Sequence, residues 1–328
     1  MRPSRIIESL NSLVKTRWPI FLWGPPGVGK SSVVRQVAAE AGLEVRDVRA
    51  PLLDPTDLRG LPMVRDGRAH WCAPSFLPHD AESTGLLFFD ELNAAPPLVQ
   101  ASLYQLTLDR RIGEYVLPEG WRIVAAGNRS TDASVVFRMP AALANRFIHL
   151  EFETDFEDWR AWATGREVHP LVIGFLSLRR ELLFDMSKPE RGFPTPRSWE
   201  MVSDVVGSLG GVRAEDQAVY VGTVGEGAAI EFLSFCRNSI GEAEIRAILA
   251  APASAPLPKG LADQYALVAY VPAIARHEDV GEAAATLLTR LKPELAVLLL
   301  RQMLQVSRTF GRLQGVRKFM AKHGDLVL

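Results

Sequence analysis

The chain has few of the residues that build metal cages and covalent staples. There are two cysteines in 328 residues, Cys72 and Cys236. Two distant thiols exclude a four-cysteine zinc site and a dense disulfide framework, and they point to a reducing compartment, the cytoplasm. The six histidines, His70, His79, His149, His169, His277 and His323, show no ligand spacing. The only metal expected is therefore one that arrives with a nucleotide. Long apolar runs are also missing. The longest, Tyr265 to Ala275, is eleven residues and contains Pro272, against the roughly 20 needed to span a bilayer. Near the N-terminus, Ile6, Ile7, Leu10, Leu13 and Val14 recur at helical spacing between polar residues, unlike the apolar block of a signal peptide. An excess of one charge is lacking too: Lys plus Arg is 37 and Asp plus Glu is 38. The net charge of -1 argues against a whole-protein polyanion binder. No internal repeat is present.

What remains is an ordinary globular balance, 48% hydrophobic and 23% charged. The length suits about two domains at about 150 residues each. The first half alternates strand and helix patterns. Strands are expected at Ile20 to Trp23, Val45 to Val48, Leu86 to Phe89, Ile123 to Ala126 and Phe147 to Phe152. A helix fits Lys30 to Ala41, with Gly42 placed to cap it, and another fits Pro96 to Leu108, with Asn93 as its cap. Alternation of this kind implies right-handed crossovers and a parallel sheet covered on both faces. Two hairpins interrupt it: Met63 to Trp71, turning at Asp66-Gly67, and Arg111 to Val116, turning near Gly113-Glu114. Beyond about residue 153 helical patterns dominate: Val168 to Phe184, Ser198 to Leu209, Gly227 to Phe235, Leu261 to Ala275, Gly281 to Leu291 and Pro293 to Ser307. A Pro/Ala linker covers 251–260.

The chemistry lies in the first half. Gly24-Pro25-Pro26-Gly27-Val28-Gly29-Lys30-Ser31, with Ser32 after it, matches the phosphate-binding loop pattern in full. It follows a strand and precedes a helix, as the physics requires. The glycines let backbone N–H groups close around phosphates, and a helix N-terminus favours negative charge. Lys30 would reach the β and γ phosphates, and the Ser31 hydroxyl would ligate Mg²⁺. Leu86-Leu87-Phe88-Phe89-Asp90-Glu91 supplies the complementary half. A buried strand ends in two carboxylates at the edge where doubly wound sheets bind ligands. Asp90 would hold the Mg²⁺ shell and Glu91 would polarise the attacking water.

With these motifs the chain resembles the AAA+ ATPases, and more narrowly the MoxR-type ATPases of the helicase-related branch. Asp90-Glu91-Leu92-Asn93, followed by Pro96-Pro97 and Gln100-Ala101, looks like that family's DE-x-N…P…Q-A run. The second hairpin looks like the branch's pre-sensor hairpin, and Asp66-Gly67 like the tip of its helix-2 insert. The resemblance covers residues 1 to about 205. It implies an α/β fold, an AAA+ αβα sandwich with a five-stranded parallel sheet over 1–152. A helical lid and C-terminal helical region would occupy 153–328. It also assigns roles. Asn128, in Ala125-Ala126-Gly127-Asn128, resembles sensor 1; by itself it reads as a turn residue. Arg146, in Ala144-Asn145-Arg146-Phe147, resembles the arginine finger that reaches a neighbouring subunit's nucleotide. Alone it reads as a surface arginine, with Arg129 and Arg138 as nearby competitors. Arg197, in Phe193-Pro194-Thr195-Pro196-Arg197, resembles sensor 2, or else covers a helix terminus. Thr195 can cap that helix and Pro196 suits its first turn. The chain departs from the family at Asn145, where Asp is usual, and at Gly127, where Gln is more common.

The expectation is an ATPase using ATP and Mg²⁺, assembled as a homo-oligomeric ring, a hexamer, because a trans finger needs a neighbour. By the resemblance, it would remodel a client protein with a von Willebrand factor A domain partner. The other reading is a nucleic-acid motor or restriction-type NTPase of the same branch. The hairpins offer Arg65, Arg68, Arg110 and Arg111, offset by Asp66, Asp109 and Glu114. That is too little net charge for strong phosphate tracking. Between Arg301 and His323 lie six Lys or Arg residues and no acid. The stretch reads either as the solvated face of a lid helix or as a docking face for an acidic partner.

Overall fold

Five short apolar runs form one parallel sheet. The structure, a computed structural model, describes residues 1–132, 136–187 and 191–327. Its first elements are α1 (Pro3–Leu13), β1 (Ile20–Trp23), α2 (Lys30–Ala41), β2 (Glu44–Arg49) and α3 (Pro55–Arg59). They are followed by β3 (Leu61–Arg65), β4 (Arg68–Cys72), β5 (Gly85–Asp90) and α4 (Pro97–Asp109). Then come β6 (Arg111–Ile112), β7 (Tyr115–Val116), β8 (Trp121–Gly127), α5 (Ala141–Ala144) and β9 (Ile148–Glu151). The strand order is β2-β5-β8-β1-β9, all parallel.

Every residue of β5 is buried, as befits a central strand covered on both faces. Residues of one parity, including Phe21, Leu87, Phe89, Trp121, Ile123 and Ala125, pack with Val99, Leu103 and Leu106 of α4. On α2, Val33, Val34, Val37 and Ala38 are buried, and this helix packs on the sheet through β2, β5 and β8. Gly42 ends α2 in the left-handed conformation at φ 66° that favours glycine. The hairpins stand apart from the sheet as two-stranded ribbons, β3 with β4 and β6 with β7. Asp66 and Gly67 both have positive φ, 54° and 71°, matching a type I′ turn.

The chain divides into two compact units, Met1–Asp155 and Phe156–Leu328. The division falls three residues after the expected one. Phe152 N–H donates to Trp23 O at 2.7 Å and Glu153 N–H to Met1 O at 3.0 Å, so the residues after β9 stay with the sheet.

The second unit consists of α6 (Phe156–Gly165), α7 (Pro170–Leu178), α8 (Pro196–Leu209), α9 (Gln217–Val224) and α10 (Glu226–Arg237). It continues with α11 (Glu242–Ala250), α12 (Leu261–Ile274), α13 (Gly281–Leu288), α14 (Pro293–Val306) and α15 (Gln314–Val327). Its core includes the rings of Phe175, Trp199, Tyr220 and Phe232. The single helix expected over Val168 to Phe184 is two pieces. The break is at Arg179 (φ -124°, ψ 65°), after which Arg180–Leu183 forms a 3₁₀ turn. The sequence pattern also missed α6, α9 and α11. These helices are short, and each buries only a few residues.

Candidate functional site

The C-terminal ends of β1, β5 and β8 are adjacent, because β8 lies between the other two. They carry Gly24, Asp90-Glu91 and Asn128. The loop after β1 turns on Gly27 (φ 77°) and Gly29 (φ 103°), conformations that an L side chain resists. Gly29 is the N-cap of α2 and makes no side-chain cap, so the first N–H groups of α2 face the loop. Gly24, Pro25 and Val28 are buried, Pro26, Gly27, Gly29 and Ser31 are half-buried, and Ser32 is exposed.

Lys30 is buried, with 8% exposure. Its ammonium donates to Gly24 O at 2.6 Å, Pro25 O at 2.9 Å and Asn128 Oδ1 at 3.0 Å. The expected loop lysine and the expected sensor asparagine thus touch. Ser31 Oγ donates to Asp90 Oδ2 at 2.8 Å. Asp90 is 4% exposed, whereas Glu91 is exposed. Glu91 has φ 57° and ψ 35°. That left-handed backbone turns the chain sharply at the strand end, so consecutive carboxylates occupy different environments. Strain of this kind at a non-glycine residue costs of order 1–3 kcal/mol and persists where surrounding structure enforces it.

The residues present suit a hard divalent cation. Ser31 Oγ and Asp90 Oδ2 are oxygen donors at the mouth of the phosphate loop. Mg²⁺ takes one or two protein oxygens and completes its shell with phosphate and water. Among the described residues no cluster of three or more His, Cys, Asp or Glu could hold a metal unaided.

Several site residues carried no expected role in this chemistry. Arg49, at the end of β2, is in register with Asp90, and its guanidinium lies 3.0 Å from Asp90 Oδ2 and 4.0 Å from Glu91 Oε1. Nothing in the sequence near Arg49 signals this, since it depends on strand register. Asn93, expected as the cap of α4, is not one. It is buried and its Nδ2 donates to Asn128 O at 2.7 Å, while α4 is preceded by Pro96 with no side-chain cap. Asn93 therefore holds the backbone of the residue whose side chain meets Lys30.

Arg146 lies in the turn between α5 and β9. Its guanidinium sits over the Tyr104 ring of α4, 4.0 Å from the centroid, and donates to Ala142 O. Its competitors differ. Arg129 is engaged by Asp132 and Glu151, at 3.3 and 3.8 Å, and Arg138 is exposed. Arg197 belongs to the second unit, exposed in the first turn of α8. Thr195 caps that helix in a capping box with Ser198, and Pro196 is its first residue.

The hairpin charges are fewer than the sequence suggests. Arg110 donates to Pro118 O at 2.7 Å and Trp121 O at 2.9 Å, a structural use of its guanidinium. Within the basic stretch, Val316 and Phe319 are buried in the core of the second unit, and Arg301 pairs with Glu157 at 3.6 Å. No helix among the described residues is long and apolar enough to cross a membrane.

Residues 19–147 match the family described as AAA domain (dynein-related subfamily). The chain is 31% identical over 150 residues to the protein MoxR of Methylorubrum extorquens, a stretch covering 44% of this chain and 43% of that protein. It is 30% identical over 151 residues to the protein MoxR of Paracoccus denitrificans, 44% of each. The similarity thus spans less than half the length of these relatives. Among solved structures, NtrX from Brucella abortus in complex with ADP aligns over 98% of this chain and 68% of that one, at 14% identity and TM-score 0.43. The RuvB Holliday junction branch migration motor of Thermotoga maritima aligns over 82% and 79%, at 18% identity and TM-score 0.39.

Proposed function

We propose that the chain, whose residues 19–147 match the AAA domain (dynein-related subfamily) and are similar to MoxR, is an ATP-hydrolysing, ring-forming remodeller of a client protein. The observation that carries the reading is the convergence of Lys30 on Asn128 and of Ser31 on Asp90 at one sheet edge. The loop N–H groups and Lys30 bind the phosphates of ATP. Ser31 and Asp90 would hold Mg²⁺, and the ion would supply positive charge to offset that developing on the phosphate oxygens. Glu91, on the exposed side of the strand end, takes the proton of the attacking water. The water oxygen bonds to the γ phosphorus, the bond to the β–γ bridging oxygen breaks, and ADP and phosphate leave. Asn128, its backbone held by Asn93, orients that water and the γ-phosphate.

Arg146 completes a neighbouring subunit's site in a ring, and a hexamer is the size we favour. Such an arginine is worth about 10³–10⁵ in rate. Arg197 belongs to the helical lid and reports hydrolysis to it. A von Willebrand factor A domain protein is the expected partner, in the cytoplasm. The internal use of Arg110 further reduces the charge available for a nucleic-acid motor.

The test is Glu91→Gln. It should bind ATP with unchanged affinity and lose turnover, and unchanged turnover would refute the assignment. ATPase activity should also be indifferent to DNA; strong stimulation that fades steeply with salt would favour the motor instead.

A further inference from the structure

His149 makes more contacts than its exposure explains. It lies in β9, in register with Phe21 of β1, so its ring shares a sheet face with Phe21, Trp23 and Phe147. The rings pack together. Trp23 and His149 are stacked at 6.0 Å, Phe21 and Trp23 at 4.2 Å, and Phe147 meets Phe21 edge-on at 5.4 Å. Both imidazole nitrogens are bonded. Trp23 Nε1 lies 2.8 Å from His149 Nδ1. An indole N–H can only donate, so Nδ1 accepts and the ring proton resides on Nε2. Nε2–H then donates to Ala144 O at 2.8 Å.

The two ends of this chain of bonds matter. Trp23 immediately precedes Gly24, the first residue of the phosphate loop. Ala144 is the last residue of α5, and the turn after it contains Arg146. That turn is short. Arg146 N–H donates to Leu143 O, and Phe147 N–H to the same Ala144 carbonyl, both at 3.1 Å. A ring needed only to fill space would not require either nitrogen bond. A histidine on an exposed edge with both nitrogens satisfied is there for direction.

We propose that His149 is a positioning residue for Arg146: it ties the turn that presents the arginine to the strand that carries the phosphate loop. The idea rests on the reading of Arg146 as a finger acting on the neighbouring subunit. It adds that the finger's geometry is set by the nucleotide-binding strand of its own subunit.

Complementation between inactive subunits tests it. Arg146→Ala subunits have intact sites and no finger, and Glu91→Gln subunits have fingers and inactive sites. Mixed, they should regain ATP turnover. His149→Phe keeps a ring in the aromatic cluster and deletes both hydrogen bonds. Placed in the Glu91→Gln finger donor, it should cut the regained turnover roughly 10-fold or more, since misplacing a reacting group by about 1 Å can cost 10². Placed in the Arg146→Ala acceptor, it should change little. Trp23→Phe in the donor should act like His149→Phe. His149→Gln, which keeps one acceptor and one donor, should restore turnover. If the parents fail to complement, the trans-finger reading falls and the proposal with it. If they complement and the donor tolerates His149→Phe, or if both placements lose equally, the proposal falls while the finger reading stands.

Discussion

The side-chain carbonyl of Asn93 occupies the place where a methyl group on Gly127 would have to go. A Cβ built on Gly127 lies 2.2 Å from Asn93 Oδ1 and 2.8 Å from the Phe21 ring. The two residues are complementary: Gly127 has no side chain so that Asn93 can reach across the end of β8 and hold Asn128 O.

Gly127→Ala should therefore destabilise the protein by about 1–3 kcal/mol, the usual cost of overpacking, and lower ATP turnover with little change in ATP affinity. The shortest contact is with the Asn93 side chain, so Asn93→Ala should relieve part of the clash and leave the part due to Phe21. Denaturant unfolding of the two single variants and the double variant forms the cycle. Strictly additive losses would show that Asn93 does not set the requirement for glycine.

Arg49 and the Ser31 hydroxyl share one oxygen, Asp90 Oδ2. A guanidinium on that oxygen opposes a second cation there. Arg49→Ala should lower the Mg²⁺ concentration giving half-maximal turnover. The Arg49 side chain is half exposed, and ion pairs of that kind are worth about 0–1 kcal/mol, so the shift should be at most about fivefold. A Mg²⁺ titration reads it, and a raised requirement would contradict the competition.

His169 caps α7 by accepting Leu171 N–H on Nδ1 at 3.2 Å. Burial holds its pKa below the ordinary 6.5, against a smaller opposing effect of Glu242. The unfolded chain thus binds this proton more readily than the folded one. Its stability contribution is complete above pH 6.5 and is lost as pH falls through the lower folded value. Protonation of Nδ1 would also cancel the cap. His169→Asn keeps a good capping acceptor and removes the titration. Its melting temperature should vary less than that of the parent between about pH 7 and pH 5. Parallel curves would exclude His169 as the group responsible.

Local signals reached most of the first unit. The phosphate loop is a contiguous pattern between a strand and a helix, so its residues, its turn glycines and the start of α2 were legible directly. The same holds for Asp90-Glu91 after a wholly apolar strand, for the Asp66-Gly67 turn, and for Thr195-Pro196 at the start of α8. In each case the residues that create the geometry are neighbours in the chain. The helices of the second unit were harder to read, because a short helix such as α9 or α11 leaves only a weak periodic trace. The break at Arg179 left none.

The tertiary structure alone decided which distant residues meet. Lys30 and Asn128 are 98 positions apart, and Trp23 and His149 are 126 apart. Parallel strands joined by crossovers place them together through the order β2-β5-β8-β1-β9. Register does the rest: it sets Arg49 beside Asp90 and His149 beside Phe21. Neither pairing is encoded near either residue. The sequence determined what chemistry the loop can perform. The fold determined which side chains stand around it, because register is set by the packing of whole strands and not by any single stretch of chain.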